Sequence, residues 1–109
     1  MSTETIAEPN DRFRRREDKN LGMYMMTPGV RALPLEKQAQ LIDLVKNFNS
    51  FTTNSDPYGE HDFGKVVLDG ESFYWKIDYY DLNLKYLSDN PADPSLTKRV
   101  MTIMQSSEY

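Results

Sequence analysis

The only histidine of the chain, His61, stands in the middle of the segment GEHDFG at residues 59–64. A histidine near carboxylates can act as a general acid or base, or it can bind a metal ion. If residues 61–68 and 71–80 form paired strands, Asp78 lies opposite His61 and can orient its imidazole for proton transfer. This pair is the candidate site of a small hydrolase or nuclease. The alternative is a cross-strand pair that only stabilises the sheet.

A metal site in the same region has weaker support. Its donors would be His61, Asp62, Glu60, Asp56 and Asp78. Recognisable metal sites usually contain more than one histidine or a recurrent helical spacing, and neither is present. Neighbouring residues on a strand also point to opposite faces, so His61 and Asp62 cannot reach one ion without a bulge. Since phosphate-binding, dinucleotide and nucleophile motifs are absent as well, we expect no metal, no cofactor and no catalytic residue.

Four basic residues near the start of the chain form a second candidate site. In a helix over residues 6–19 they share one face at spacings of three and four, and they are Arg12, Arg15, Arg16 and Lys19. Arginine binds phosphate through two parallel hydrogen bonds, so this face is an alternative nucleic-acid-binding surface. The acidic residues at positions 11, 17 and 18 permit pairing within the helix instead. We therefore do not expect the chain to bind nucleic acid directly.

Acidic residues concentrate in the second half of the chain. Although the net charge is only −4, residues 54–94 contain nine carboxylates and three lysines. Such a charge distribution repels nucleic acid and favours a basic partner, although acidic surfaces also serve solubility alone. Tyrosines among these acids suit a protein-binding surface. The candidate partner-binding residues are Asp56, Tyr58, Glu60, Asp62, Asp78, Tyr80, Asp81 and Tyr86.

The composition is that of an ordinary globular protein. The chain has 109 residues, 39% hydrophobic and 28% charged, which fits one domain with one modest core. It contains no cysteine, which excludes disulfides and thiolate metal sites. No segment approaches the ~20 apolar residues of a membrane span, and the first residues lack the apolar core of a signal peptide. We expect a soluble, cytoplasmic protein without membrane contacts.

Turn chemistry predicts the hairpin that would position His61. Asp69 and Gly70 separate two β-rich runs, and a type I′ turn needs positive φ at both of its central residues. We therefore predict a hairpin over residues 61–80. Counting outward from the turn pairs Gly64 with Trp75, which leaves room for the indole. One face of the hairpin then carries the core residues Leu68, Val66, Phe73, Trp75, Ile77 and Tyr79.

The remaining elements follow from apolar spacing. Residues 21–27 predict a short strand, and residues 34–49 predict an amphipathic helix with an apolar stripe that begins at Leu35. Asp93 and Pro94 predict the start of a last helix, with the stripe Leu96, Val100, Ile103 and Met104. The predicted fold is a small α+β domain in which helices cover an antiparallel sheet. We divide the chain into an N-terminal arm or helix, residues 1–20, and a single α+β domain, residues 21–109.

Several segments of the chain, in this order, resemble an uncharacterised bacterial family, domain of unknown function 3768. They are RFRR, MTPGV, DPYGEHDFG, FYWKIDYYD, NPADP and TIMQSSEY, and the resemblance extends from about Asp11 to Tyr109. The GEHDFG and WKIDYYD segments are the most specific. Members of this family are small proteins of alphaproteobacteria and of their plasmids and phages, often encoded beside anti-restriction and plasmid-maintenance genes. The resemblance brings no known activity or catalytic residue.

This genetic context implies an inhibitor. A short, acidic protein of mobile elements is similar to anti-CRISPR and anti-restriction proteins, which commonly occlude the nucleic-acid-binding surface of a protein target. We therefore expect a non-enzymatic binding protein whose acidic surface imitates nucleic acid. The expected partner is a basic nucleic-acid-binding protein or a CRISPR effector complex, and residues 54–94 provide the contact surface.

Overall fold

Four strands form one mixed sheet in the computed structural model, which describes residues 5–109. The strands are β1 (Gly22–Met26), β2 (Phe63–Leu68), β3 (Glu71–Tyr80) and β4 (Lys98–Gln105). Their order in the sheet is β1-β4-β3-β2. β4 runs parallel to β1 and antiparallel to β3. The predicted α+β class is confirmed, but the sheet is mixed rather than purely antiparallel because β4 joins the first strand in the parallel sense.

Within residues 5–109 the helices are α1 (Ala7–Arg14), α2 (Pro28–Arg31) and α3 (Leu35–Lys46), with short 3-10 turns at Lys19–Leu21 and Ser106–Glu108. α3 lies in the predicted range and begins directly after Pro34, a residue suited to a helix start. Residues 1–4 of the predicted N-terminal arm lie outside the described residues. None of the described helices has the length and apolar character needed to cross a membrane.

The predicted hairpin turn and its register are confirmed. Asp69 and Gly70 have φ angles of 54° and 79°, both positive as a type I′ turn requires. Gly64 pairs with Trp75, and Trp75 is fully buried. A Cβ atom on Gly64 would lie only 2.7 Å from Cε2 of the indole, so the absence of a side chain at this position makes room for Trp75.

The hairpin is shorter at its open end than predicted. β2 begins at Phe63, since His61 has a φ of 56° and turns the backbone away from the neighbouring strand. The last backbone hydrogen bond on this side joins the N–H of Ile77 to the carbonyl of Asp62 at 2.8 Å. The predicted cross-strand pair of His61 and Asp78 is therefore not formed.

The predicted last helix is wrong, because residues 98–105 form the central strand β4. The strand β4 lies between β1 and β3 and has buried side chains on both faces, so it lacks the polar alternation that identifies a half-exposed strand. Val100, Met101, Ile103 and Met104 are all buried, and their spacing also matches the apolar stripe of a helix. Leu96, which would open that stripe, is half exposed.

One hydrophobic core lies between the helices and one face of the sheet. The sheet contributes Val66, Phe73, Trp75, Ile77, Met101 and Ile103, and the helices contribute Phe13, Val30, Leu41 and Val45. Leu35, predicted as part of the apolar stripe of α3, is instead 81% exposed, so the buried face of this helix begins later. The core anchors the hairpin of β2 and β3, and His61 lies in the loop that leads into β2.

Candidate functional site

His61 lies between two aspartates that come from different parts of the chain. Its Nδ1 is 2.9 Å from a carboxylate oxygen of Asp11 in α1, and its Nε2 is 3.6 Å from one of Asp56 in the preceding loop. Phe51 stacks on the imidazole with ring centroids 3.9 Å apart. Both ring nitrogens therefore face carboxylates, and an aromatic ring covers one ring face. Asp11 lies 50 positions before His61 in sequence, so spacing along the chain did not reveal this partner.

The predicted pair of His61 and Asp78 is replaced by contacts with two other aspartates. Nδ1 of His61 lies within hydrogen-bond distance of Asp11, whereas Nε2 lies 3.6 Å from Asp56, beyond that distance. Asp78, the predicted catalytic partner, forms an ion pair with Lys76 at 3.2 Å. In the part of the chain that the structure describes, no hydrogen bond or ion pair joins Asp78 to His61. Among the same residues, no group of three or more potential ligands is arranged to hold a metal ion.

A buried polar network connects this region to the centre of the sheet. Asn10, fully buried in α1, donates to the hydroxyl of Tyr79 at 2.8 Å and accepts from Nε of Arg99 at 2.7 Å. The Tyr79 hydroxyl donates to the carboxylate of Glu60 at 3.0 Å. Burial is the main cause that raises the pKa of Tyr79 well above its usual range, and the negative charges of Asp62 and Glu60 add to it. Tyr79 therefore stays a hydrogen-bond donor and links α1, β3, β4 and the loop before β2.

Two fully buried arginines, Arg14 and Arg99, belong to this region, and neither was predicted from the sequence. Arg14 lies 3.2 Å from Asp11, with its guanidinium 5.5 Å from the ring centroids of Phe51 and Trp75. Burial lowers the pKa of Arg14 and of Arg99 from the usual arginine value. A buried arginine has no signature of its own in a sequence, since only the packing around it distinguishes it from a surface arginine.

The single basic face expected near the start of the chain is not formed. α1 ends at Arg14, and Arg16 has a φ of 60°, which takes the following residues out of the helix. Arg15 and Lys19 are exposed beyond the end of α1. Only Arg12 of the four predicted residues therefore lies in the helix.

Two of these basic residues have partners close by in the chain. Arg12 forms ion pairs with Glu8 at 2.8 Å and with Asp18 at 3.3 Å. The guanidinium of Arg16 lies over the ring of Tyr24, 4.0 Å from its centroid. Arg12 therefore forms ion pairs with acidic residues of its own segment. This was the alternative to phosphate binding.

The carboxylates of residues 54–94 are held mainly by uncharged donors. Oδ1 of Asp56 accepts from the backbone N–H groups of Glu60 and His61. Within the described residues, ion pairs with lysine are formed by Asp69, to Lys37 at 2.7 Å, and by Asp78. Backbone N–H and hydroxyl donors fix a carboxylate in place without cancelling its charge. The N-terminal arginines pair with N-terminal acids and leave this negative charge in place.

Asp62 is close enough to other acidic residues for their negative charges to raise its pKa. Burial is the largest cause that raises its pKa, and the negative charges of Glu60, Asp56 and Asp78 raise it further. A carboxylate surrounded by like charges ionises less readily. These four predicted acids therefore form a concentrated negative region at the open end of the hairpin, while Tyr58 lies 86% exposed in the loop beside them.

Residues 81–87 form a hydrogen-bonded turn at the end of β3, here named the apolar turn. Tyr80 pairs with Leu87, and the N–H of Asp81 donates to the carbonyl of Tyr86 at 2.8 Å. The Asp81 carboxylate accepts from two backbone N–H groups inside the turn, at 3.1 and 3.0 Å. Leu84 has a φ of 60°, a left-handed conformation that costs about 1–2 kcal/mol in a residue with a side chain. The closing hydrogen bonds hold this strained backbone in place.

The apolar turn exposes large side chains to solvent. Leu82 is 58% exposed, Leu84 42%, Tyr86 73% and Leu87 74%. Clustered apolar side chains on the surface of a small protein commonly mark an interaction site. Tyr80, Asp81 and Tyr86, which were predicted from the sequence as partner-binding residues, lie together here, whereas the three leucines were not predicted. Their alternation with polar residues in LNLKYL was the available signal.

Residues 26–108 match the model of a protein family described as Protein of unknown function (DUF3768). The chain belongs to this family. The predicted family resemblance is thereby confirmed, and both His61 and the apolar turn lie inside the matched range, whereas Asp11 lies outside it. No curated protein and no solved structure matched the chain.

Proposed function

We propose that this DUF3768 protein is a binding module that attaches to a basic, nucleic-acid-binding protein through the apolar turn and the acids around it. The observation that carries the proposal is the exposure of four large apolar side chains on a turn closed by hydrogen bonds. A contact surface ordered before binding loses little conformational entropy when the partner arrives. Tyr86, 73% exposed, is the type of residue that dominates the binding energy of protein interfaces.

The charges near the turn favour a positively charged partner. Asp81 lies at its start, and Asp89 and Asp93 follow it in the chain, with Lys85 as the one basic residue between positions 81 and 93. The Asp81 and Asp93 carboxylates accept hydrogen bonds from backbone N–H groups, and neither forms an ion pair within residues 5–109. Complementary charge accelerates the encounter with a basic surface and disfavours acidic partners.

A protein that binds nucleic acid presents such a basic surface. CRISPR effector complexes hold their nucleic acids in positively charged channels, which an acidic protein can occupy. The proposed activity is therefore competitive exclusion of nucleic acid from a defence nuclease or effector complex, of the anti-CRISPR or anti-restriction type. In this proposal the chain breaks no bond in its target, and His61 stabilises the packing of α1 on the hairpin.

A nuclease inhibition assay tests this proposal. The purified chain is titrated into DNA-cleavage reactions of CRISPR effector complexes and restriction enzymes, and direct binding is followed by biolayer interferometry. We expect inhibition that additional nucleic acid relieves. Tyr86→Ala and Leu87→Ala should each weaken binding by about tenfold or more. Leu35→Ala is the matched control, since Leu35 is an equally exposed leucine on α3.

A charge reversal tests the contribution of the acidic residues separately from that of the exposed apolar side chains. Asp89→Lys should slow association and reduce its salt dependence, because Asp89 is an exposed acid beside the turn. Binding that is indifferent to Tyr86→Ala, Leu87→Ala and Asp89→Lys would refute the proposed surface. Turnover of a nucleic-acid or ester substrate by the chain alone, abolished by His61→Ala in a folded variant, would favour the hydrolase alternative.

A further inference from the structure

No α-helix among the described residues covers the face of the sheet opposite the hydrophobic core, here named the open face, although neighbouring side chains bury Val100 and Met104 on it. Because side chains alternate along a strand, those between Phe73, Trp75 and Ile77 point away from the helices. α1, α2 and α3 each place a buried apolar residue in the core on the other side. The open face is therefore a surface of β2, β3 and β4 that the described helices leave uncovered.

Three aromatic residues on the open face each lie opposite a lysine of the neighbouring strand. The strand register forms the pairs Phe63 with Lys76, Tyr74 with Lys65, and Tyr80 with Lys98. All six side chains point to the same side of the sheet, since directly paired residues share a face. The pairs extend over three strands, so rings and ammonium groups alternate across the surface.

The end of the chain adds a fourth ring to this surface. Tyr109 is 74% exposed and packs edge-on against Phe63 and Tyr74, with ring centroids 5.6 and 5.3 Å away. Beside it lies a cavity of about 440 Å³ that is lined in part by Lys76 and Met104. The open face therefore combines flat aromatic surface with a cleft that contains a cationic group.

Two acids accompany the three lysines on this face. Asp78 pairs with Lys76, whose side chain stays 42% exposed. Glu108 borders the cavity, but its carboxylate accepts from the Thr27 hydroxyl and from the backbone N–H of Gly29. Lys65 is exposed and Lys98 is half-buried, and neither forms an ion pair within the described residues. With three lysines against two acids and the terminal carboxylate of Tyr109, this face is close to neutral, whereas the whole chain has a net charge of −4.

We propose that the open face binds single-stranded nucleic acid, with bases stacked on the aromatic rings and phosphates bound by the lysines. Every base has a flat face that stacks on an aromatic ring, and lysines spaced between the rings suit the phosphates between the bases. A purely apolar partner gains nothing from a lysine opposite each ring. This surface departs from the expectation drawn from net charge, because the local charge governs a contact of this size. The proposal uses residues other than the apolar turn and does not depend on the proposed function.

Fluorescence anisotropy with fluorescein-labelled oligo(dT) and oligo(U) of about eight nucleotides tests this site. Affinity should fall with salt concentration, with a logarithmic slope of about −2 if three lysines contact phosphates. Lys65→Gln and Lys98→Gln should each reduce the slope by about 0.7. Tyr74→Leu should weaken binding roughly tenfold through lost stacking, and Tyr109→Ala supplies the same test at an exposed ring if Tyr74→Leu unfolds.

Control variants make the outcomes distinct. Lys85→Gln removes an exposed lysine of the apolar turn and should leave the salt slope unchanged. The absence of binding at low salt would overturn the proposal, and so would a slope that Lys65→Gln and Lys98→Gln do not change. Binding lost in Arg12→Ala or Arg15→Ala, but retained in the lysine variants, would assign nucleic-acid binding to the N-terminal segment instead. Capture of a protein by the open face without any nucleic-acid binding would also overturn the proposal.

Discussion

Replacing Asn10 with alanine removes the side chain that links α1 to the two central strands. Its amide nitrogen donates to the carbonyl of Glu60 at 2.9 Å and to the Tyr79 hydroxyl at 2.8 Å. Its amide oxygen accepts from Nε of the fully buried Arg99 at 2.7 Å. The substitution therefore deletes three hydrogen bonds, one of them from a charged group, at a position with no exposure to solvent.

The size of the effect follows from these contacts. A neutral hydrogen bond contributes about 1 kcal/mol, and one to a charged group about 1.5–3 kcal/mol. After the substitution, the buried Arg99 guanidinium retains the hydrogen bond from its Nη2 to the carbonyl of Pro91. We expect Asn10→Ala to lower the free energy of unfolding by roughly 3–5 kcal/mol, a large part of the total for a domain of this size.

Urea denaturation at neutral pH measures this change, with the fluorescence of Trp75 as the probe. Trp75 is the only tryptophan and is fully buried, so its emission reports loss of the core. Asn49→Ala, at an exposed loop position, is the matched control and should leave the urea midpoint unchanged within error. A loss below about 1 kcal/mol for Asn10→Ala would refute the conclusion that this network fastens α1 to the sheet.

Two further predictions concern the hairpin. Gly64→Ala should lower the free energy of unfolding by about 1–3 kcal/mol, because the new Cβ would lie 2.7 Å from Cζ of Phe48 and from Cε2 of Trp75. An unchanged urea midpoint would contradict this. The raised pKa of Asp62 means that the folded state holds this proton more tightly, so stability falls as pH rises from the usual value of 3.8 through the folded pKa. Asp62→Asn should therefore raise Tm at neutral pH, and a gain that persists equally in acid below the usual pKa would be inconsistent with this explanation.

The hairpin and α3 were predictable because their signals are local. The turn at Asp69 and Gly70 needs two positive φ angles, and a two-residue loop sets the register of both strands. The pairing of Gly64 with Trp75 follows by counting alone. For α3, Pro34 and the apolar spacing after it mark the helix, although they do not show that Leu35 faces solvent.

Residues 98–105, which were predicted as a helix but form β4, had no such local signal. Val100, Met101, Ile103 and Met104 are buried on both faces of β4, and a short, uniformly apolar run fits either a strand or a helix. Only its position between β1 and β3 decides between the two. That position also buries Arg99 against Asn10, which the sequence places 89 residues away.

By itself, the sequence determined the α+β class, the central hairpin and the concentration of acids in residues 54–94, since turn chemistry, periodicity and charge act over a few neighbouring positions. The tertiary structure alone decided that His61 meets Asp11 rather than Asp78, and that the aromatic and lysine residues share an uncovered face. These contacts join distant segments, and they depend on which strand lies beside which. That arrangement follows from burying one core, a property of the whole chain rather than of any short stretch.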